Sequence, residues 1–167
     1  MAASCRVCGK SIALNGKTAH GNIACEICDG CAAQVSGTSG RRVLLESIDA
    51  PVLLMQGNPR QVVTANKQAV ALFGKKLPEI ENHRGGQVFD CVHSFTEAGC
   101  GKDVNCEGCK IKDAIVDTFI TANPHHGISA ELSIKKANGT KTYVVRVSTE
   151  KLGDFALVRV ERYDAEA

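Results

Sequence analysis

Apolar and polar residues alternate along the C-terminal part of the chain, over residues 130–135, 143–147 and 156–160. This period of two predicts three β-strands, each with one buried face. The Asn138-Gly139 pair between the first two strands is a strong hairpin signal. The end of the chain is therefore predicted to be a three-stranded antiparallel meander.

Helical spacing marks two segments upstream of the meander. Apolar positions from Ile111 to Phe119 recur three and four residues apart, which predicts an amphipathic helix over 110–121. Asn66 is a typical helix N-cap and Gly74 a typical helix stop, so a shorter helix is predicted between them.

A short entry helix and two strands precede these helices. The entry helix is predicted to bury Val43, Leu44, Leu45 and Ile48, and Pro51 prevents it from continuing. Residues 52–55 and 61–64 are predicted strands around a Gly-Asn-Pro turn. Strands, helices and then three more strands predict an α+β fold, in which an antiparallel sheet is flanked by helices.

The composition adds an unusual cysteine count, nine in 167 residues. Polar residues interrupt every apolar run near the N-terminus, and no run approaches a membrane span, so we expect a cytoplasmic protein with metal or redox sites. The formal charge of +2 does not favour a nucleic-acid partner. No membrane contact is expected either.

Five of the cysteines lie in the first 31 residues, a segment without aromatic side chains that needs a metal or disulfides to fold. Cys5 and Cys8 form one C-x2-C pair, and Cys28 and Cys31 are the preferred second pair. Four thiolates are the donor set of a structural zinc site. Cys25, which could pair with Cys28 instead, is the alternative ligand.

The run Cys5-x2-Cys8-Gly-Lys-Ser, followed by Cys28-Asp-Gly-Cys31, resembles the treble-clef zinc module at the N-terminus of the ClpX unfoldase. This resemblance implies a small treble-clef zinc-binding module over residues 1–36. A Ser- and Gly-rich stretch then predicts a flexible linker over 37–42, before a second domain over 43–163.

The second domain resembles PAS domains, on residues 49–52 (Asp-Ala-Pro-Val) and 63–66 (Val-Thr-Ala-Asn) together with the order of predicted elements. The resemblance implies a sensor of small molecules, redox state or oxygen. It also implies contact with a signalling protein and a possible homodimer through the entry helix. Only four residues follow Tyr163, so we expect no output domain in this chain and a relay by protein–protein contact.

The other four cysteines, Cys91, Cys100, Cys106 and Cys109, fall in a predicted loop over 91–109 that leads into the 110–121 helix. The segment resembles a cysteine-rich insert of PAS domains from anaerobic bacteria. Cys91, Cys106 and Cys109 match that insert, whereas Cys100 is an addition found in some members. Lys110 stands where family members often have proline.

Three kinds of site are compatible with this spacing. The four thiolates are a donor set for zinc, and equally for an iron-sulfur cluster. The third alternative is a reversible disulfide between Cys106 and Cys109. The leading hypothesis is redox, oxygen or metal sensing through these cysteines. The alternative is a structural adaptor with two structural zinc sites and a small-ligand pocket, and catalysis is not expected.

Overall fold

The structure, a computed structural model, describes residues 3–4, 11–12 and 38–166. Its helices and strands are, in chain order, β1 (Ala3–Ser4), β2 (Ser11–Ile12), α1 (Thr38–Glu46), β3 (Val52–Gly57), β4 (Arg60–Ala65), α2 (Lys67–Phe73), α3 (Gly85–Phe89), α4 (Lys110–Thr121), β5 (His125–Lys136), β6 (Gly139–Leu152) and β7 (Phe155–Ala165). Short 3-10 turns at Leu77–Glu79, Val92–Ser94 and Val104–Cys106 lie between α2 and α4.

Five strands form one antiparallel sheet in the order β4-β3-β7-β6-β5. The last three strands make the predicted meander, and the turn between β5 and β6 places Gly139 at φ 113°, a conformation that favours glycine. The predicted α+β fold with an antiparallel sheet and flanking helices is confirmed for residues 38–166.

The inner face of the sheet carries the larger core, which packs under α2, α3 and α4. Its fully buried side chains include Leu53, Met55, Val62, Ile80, Val88, Ile134, Val145, Val147 and Val158. Ile111 and Ile115 of α4 join this core, as their helical spacing predicts. Burial of one such side chain contributes about 2 kcal/mol.

The outer face of the sheet carries a second core, here called the outer cluster. It consists of Leu44, Leu45, Ile48, Val52, Leu54, Leu152 and Leu157. Two expectations about the entry helix are corrected by this arrangement. The helix begins at Thr38, inside the segment predicted as a flexible linker, and Val43 is 60% exposed on the side of α1 opposite the buried leucines.

Asn66 joins the entry segment to the sheet. Its buried Oδ1 accepts hydrogen bonds from the N–H groups of Val52 and Ala69, at 3.1 and 3.0 Å. Its Nδ2 donates to the carbonyl oxygens of Leu45 and Ala50, at 3.1 and 2.7 Å. The predicted N-cap is therefore also the residue that fixes the end of α1 against β3.

The predicted N-terminal zinc module lies mostly outside the described residues. β1 and β2 pair antiparallel, with Ala3 opposite Ile12 and Ser4 opposite Ser11. The predicted ligands Cys5, Cys8, Cys28 and Cys31, and the alternative Cys25, lie outside the described residues. The module over 1–36 stays a prediction.

Within the described part of the chain, no helix combines the length and apolarity that a membrane crossing requires.

Candidate functional site

The cysteine loop, residues 91–109, runs from the end of α3 to the start of α4 beside the edge strand β5. Cys91 forms an isolated antiparallel bridge with Ile134 of β5. The next residue of β5, Lys135, donates its N–H to the carbonyl oxygen of Asp90 at 2.8 Å. These contacts fix the first cysteine of the loop to the sheet.

Cys100 is held against the first turn of α3. The N–H of Gly86 donates to Cys100 Sγ at 3.2 Å, and Arg84 Nη1 donates to the Cys100 carbonyl at 3.1 Å. A side chain at position 86 would place its Cβ 2.6 Å from that sulfur. Glycine at this position therefore permits the close approach of the loop to the helix.

Cys106 and Cys109 lie where the loop enters α4. Cys106 ends a 3-10 turn, its Sγ accepts a hydrogen bond from the N–H of Gly101 at 3.3 Å, and its carbonyl accepts from Lys112 Nζ at 2.7 Å. Cys109 is the N-cap residue of α4. The C-x2-C pair is thus held by hydrogen bonds from both the loop and the helix.

All four loop cysteines line one small cavity between the sheet and α4, here called the inner cavity. Its volume is about 50 Å³, and its other lining residues include Met55, Phe89, Ile111, Ile115 and Leu132. Three of the same cysteines, Cys91, Cys106 and Cys109, also line a groove of about 510 Å³ outside the loop. The cysteine loop is therefore the wall between the two spaces.

Burial and crowding set the electrostatics of the thiols. Burial raises the pKa of Cys91, and the neighbouring charges of Cys100, Cys106 and Cys109 raise it further. Burial also raises the pKa of Cys100, against the opposing effects of the Gly86 N–H and the Arg60 guanidinium. A low-dielectric cluster disfavours several thiolates at once, so these two thiols hold their protons strongly unless a cation joins them.

The four cysteines are free thiols in this structure. Over the described residues, no three His, Cys, Asp or Glu side chains are grouped closely enough to hold one metal ion. The loop thus brings the predicted ligands to one cavity without closing them into a ligand set. The donor chemistry, four sulfurs with peptide N–H groups directed at two of them, suits a soft metal or an iron-sulfur cluster.

Sequence patterns did not indicate three residues that shape this site. Arg60 at the start of β4 packs so closely on the loop that a Cβ at Gly101 would collide with its guanidinium. Arg84 and Gly86 hold Cys100 from the start of α3. The one sequence signal that could have indicated the Gly86 contact is the Gly85-Gly86 pair, because adjacent glycines at a helix start indicate a close backbone approach.

No protein-family model matches the chain, and no curated protein matches it. Solved structures are similar in fold. A LOV protein of Rhodobacter sphaeroides is 13% identical, with a TM-score of 0.47 over 72% of this chain and 63% of its own. A domain of a sensory box sensor histidine kinase/response regulator from Geobacter sulfurreducens is 15% identical, with a TM-score of 0.46 over 75% of this chain and 97% of its own.

A PAS domain in complex with ethanol, from a LuxR-family transcriptional regulator of Burkholderia thailandensis, is 12% identical, with a TM-score of 0.44 over 72% of this chain and 94% of its own. The chain spans 63% and 64% of the first two structures that it resembles. These likenesses concern the fold alone. They do not bear on the zinc module or the cysteine-rich insert, which stay predictions.

Proposed function

We propose that residues 38–166 form a PAS-like sensory domain whose responsive element is a thiolate-bound metal centre in the cysteine loop. One observation carries this proposal: Cys91, Cys100, Cys106 and Cys109, spread over 19 positions of the loop, all line one cavity beneath the sheet. A free cysteine that only fills space behaves as a small hydrophobe, so four thiols around one small cavity point to a shared chemical role.

The chemistry of the donors supports a metal. The buried thiols lose their protons when a cation compensates the negative charge, so metal binding and deprotonation occur together. The N–H groups of Gly86 and Gly101 already donate to two of the sulfurs, and hydrogen bonds to sulfur stabilise bound thiolates. Zinc would hold the loop in one conformation, whereas an iron-sulfur cluster would make it sensitive to oxygen or redox state.

The position of the loop supports signalling. The backbone of its first cysteine pairs with the edge strand β5, and its last cysteine is the N-cap residue of α4, so a movement of the loop backbone would alter contacts with both elements. The relay to a signalling partner, and a homodimer through α1, belong to the same proposal. Because Leu44 and Leu45 are buried against the sheet, a dimer would use the exposed side of α1 that carries Val43.

The alternative is an adaptor with two structural zinc sites and a small-ligand pocket. An inner cavity of about 50 Å³ is well below the roughly 300–1,000 Å³ of ordinary ligand pockets. The size of the cavity therefore favours the cysteines over a pocket ligand as the responsive element.

The test uses the full chain, purified without oxygen, and two fourfold Cys→Ser variants. One variant replaces the loop cysteines, and the other replaces Cys5, Cys8, Cys28 and Cys31. Metal content, acid-labile sulfide and the visible spectrum are measured before and after exposure to air. A loop centre is expected to disappear in the first variant, to persist in the second, and to change on exposure to air.

Tyrosine fluorescence monitors folding in these experiments, because both tyrosines of the chain, Tyr143 and Tyr163, lie in the sheet. If the fourfold loop variant unfolds, the single variant Cys100→Ser replaces it. A loop that carries zinc and does not respond to oxidants supports the structural alternative. A loop without metal in the wild-type chain refutes the metal centre.

A further inference from the structure

The groove outside the cysteine loop has a strand edge as one wall. Residues 129–133 of β5 line one side, and residues 105–110 line the other. Its volume of about 510 Å³ falls within the roughly 300–1,000 Å³ of ligand-binding sites. This groove is distinct from the inner cavity, although Cys91, Cys106 and Cys109 line both.

The wall formed by β5 presents unpaired backbone groups to the groove. β5 pairs with β6 without interruption from Ile128 to Lys136, and β6 occupies only one of its edges. The N–H of Lys135 points to the other edge, since it donates to Asp90. Backbone groups of every second residue of a strand point to the same edge. The edge opposite β6 therefore also carries the N–H and C=O of Ser129 and Glu131 and the N–H of Ser133.

Within residues 38–166, none of these three N–H groups has a hydrogen-bond acceptor. Residues 90 and 91 already occupy this edge beside Ile134, and the free edge continues directly from them along β5. From Ser129 to Ser133 the edge is about 14 Å long. An open edge of this kind is completed by another extended backbone.

Charge decides which extended segment fits. Glu131 and Glu107 face the groove, against Lys110. A second copy of the chain, paired about a two-fold axis at Glu131, would place two carboxylates directly opposite each other, which is unfavourable. A Lys or Arg opposite Glu131 is favourable by the same rule. We infer that the free edge of β5 binds an extended segment of a partner protein with a basic side chain opposite Glu131.

The probe is the peptide acetyl-Thr-Val-Lys-Val-Thr-amide, with lysine opposite Glu131 and threonines opposite Ser129 and Ser133. Added antiparallel, its Lys and Thr backbone groups pair with β5, and its Val N–H groups point away. N-methylation of Lys and one Thr removes two hydrogen bonds and should weaken binding about tenfold or more. N-methylation of both Val residues is the matched control and should leave binding nearly unchanged.

The second arm of the test reverses the charge at position 131 of the protein and at the central residue of the peptide. Calorimetry measures binding of each peptide to the full chain. Glu131→Lys should weaken binding of the lysine peptide about threefold or more, and a peptide with central glutamate should then bind the variant better than the wild type. Glu97→Lys makes the same charge change at an exposed position outside the groove.

Far-UV circular dichroism verifies that both variants fold. The inference is overturned if the lysine peptide does not bind at about 1 mM, or if both N-methylated peptides bind equally well. A concentration-dependent dimer that blocks binding of the lysine peptide would assign the edge to a second copy instead, whereas a dimer through α1 would leave peptide binding unchanged.

Discussion

Glu150 is a buried carboxylic acid on the outer face of the sheet. It lies on β6 opposite Leu157, a member of the outer cluster under α1, and it is 8% exposed. Among the described residues its Oε1 has no hydrogen-bond partner. Burial raises the pKa of Glu150 from 4.5 to about 7, against the opposing charge of Arg159.

This shift makes stability depend on pH in a defined direction. The folded protein holds the Glu150 proton more tightly than the unfolded chain, so its contribution is fully present below pH 4.5 and is lost as pH rises through about 7. At about 1.4 kcal/mol per pKa unit, ionising the buried carboxyl costs about 3 kcal/mol. Glu150→Gln resembles the protonated acid, so it should stabilise the protein by about 2 kcal/mol at pH 8 and have little effect at pH 4.

Urea unfolding followed by tyrosine fluorescence measures this difference, because both tyrosines lie in the same sheet as Glu150. Glu97→Gln, at an exposed position of the cysteine loop, is the control and should not change stability at either pH. The same stability difference between wild type and Glu150→Gln at pH 4 and pH 8 would refute the reasoning. So would a variant that is less stable than wild type at pH 8.

Three further changes test the packing of the domain. Asn66→Ala removes the buried amide that joins α1 to β3, and should lower the free energy of unfolding by about 2–4 kcal/mol in urea titrations. Gly86→Ala, with its Cβ 2.6 Å from Cys100 Sγ, should reduce the metal retained by the loop, whereas Gly85→Ala should not, because among the described residues its Cβ would meet only the Phe89 ring, at an ordinary contact distance of 3.8 Å. Thr118→Val loses a buried 2.8 Å hydroxyl–hydroxyl bond and should cost about 1–2 kcal/mol, and Thr118→Ser should restore most of it.

The elements that the sequence predicts correctly depend on local signals. The alternation in the last three strands follows from one buried face, and the glycine at position 139 fits the turn because it tolerates a positive φ. Asn66 caps the start of α2 with a side-chain hydrogen bond, and Gly74 caps its end with backbone hydrogen bonds. Each of these features is decided by residues within a few positions of one another.

The start of α1 could not be predicted in this way. Its first residues are Thr38, Ser39 and Gly40, a combination typical of linkers. The helix is stabilised by burial of Leu44 and Leu45 under the outer face of the sheet, which is a long-range contact. The same contact fixes its rotation, and Val43 is left exposed.

The residues of the candidate site also differ in whether local sequence or long-range contacts determine their positions. Cysteine spacing identified all four thiols that line the inner cavity, since those residues lie close together in the chain. The contacts of Arg84 and Gly86 with Cys100 cross 16 and 14 positions, and they exist because the fold places α3 beside the loop. A sequence motif can therefore name the candidate cysteines, but the residues that support them are set by tertiary packing.

The two faces of β3 connect the cysteine cavity to α1. Met55 lines the inner cavity, and the preceding residue, Leu54, packs in the outer cluster with Leu44 and Leu45. Neighbouring residues of a strand point to opposite faces, so one layer of backbone separates the thiols from the entry helix. β3 is hydrogen-bonded on both sides, to β4 and β7, so a displacement of its backbone also displaces those strands. We therefore expect a change inside the cavity to reach α1 through β3, and a change in the outer wall of the loop to reach the groove at β5.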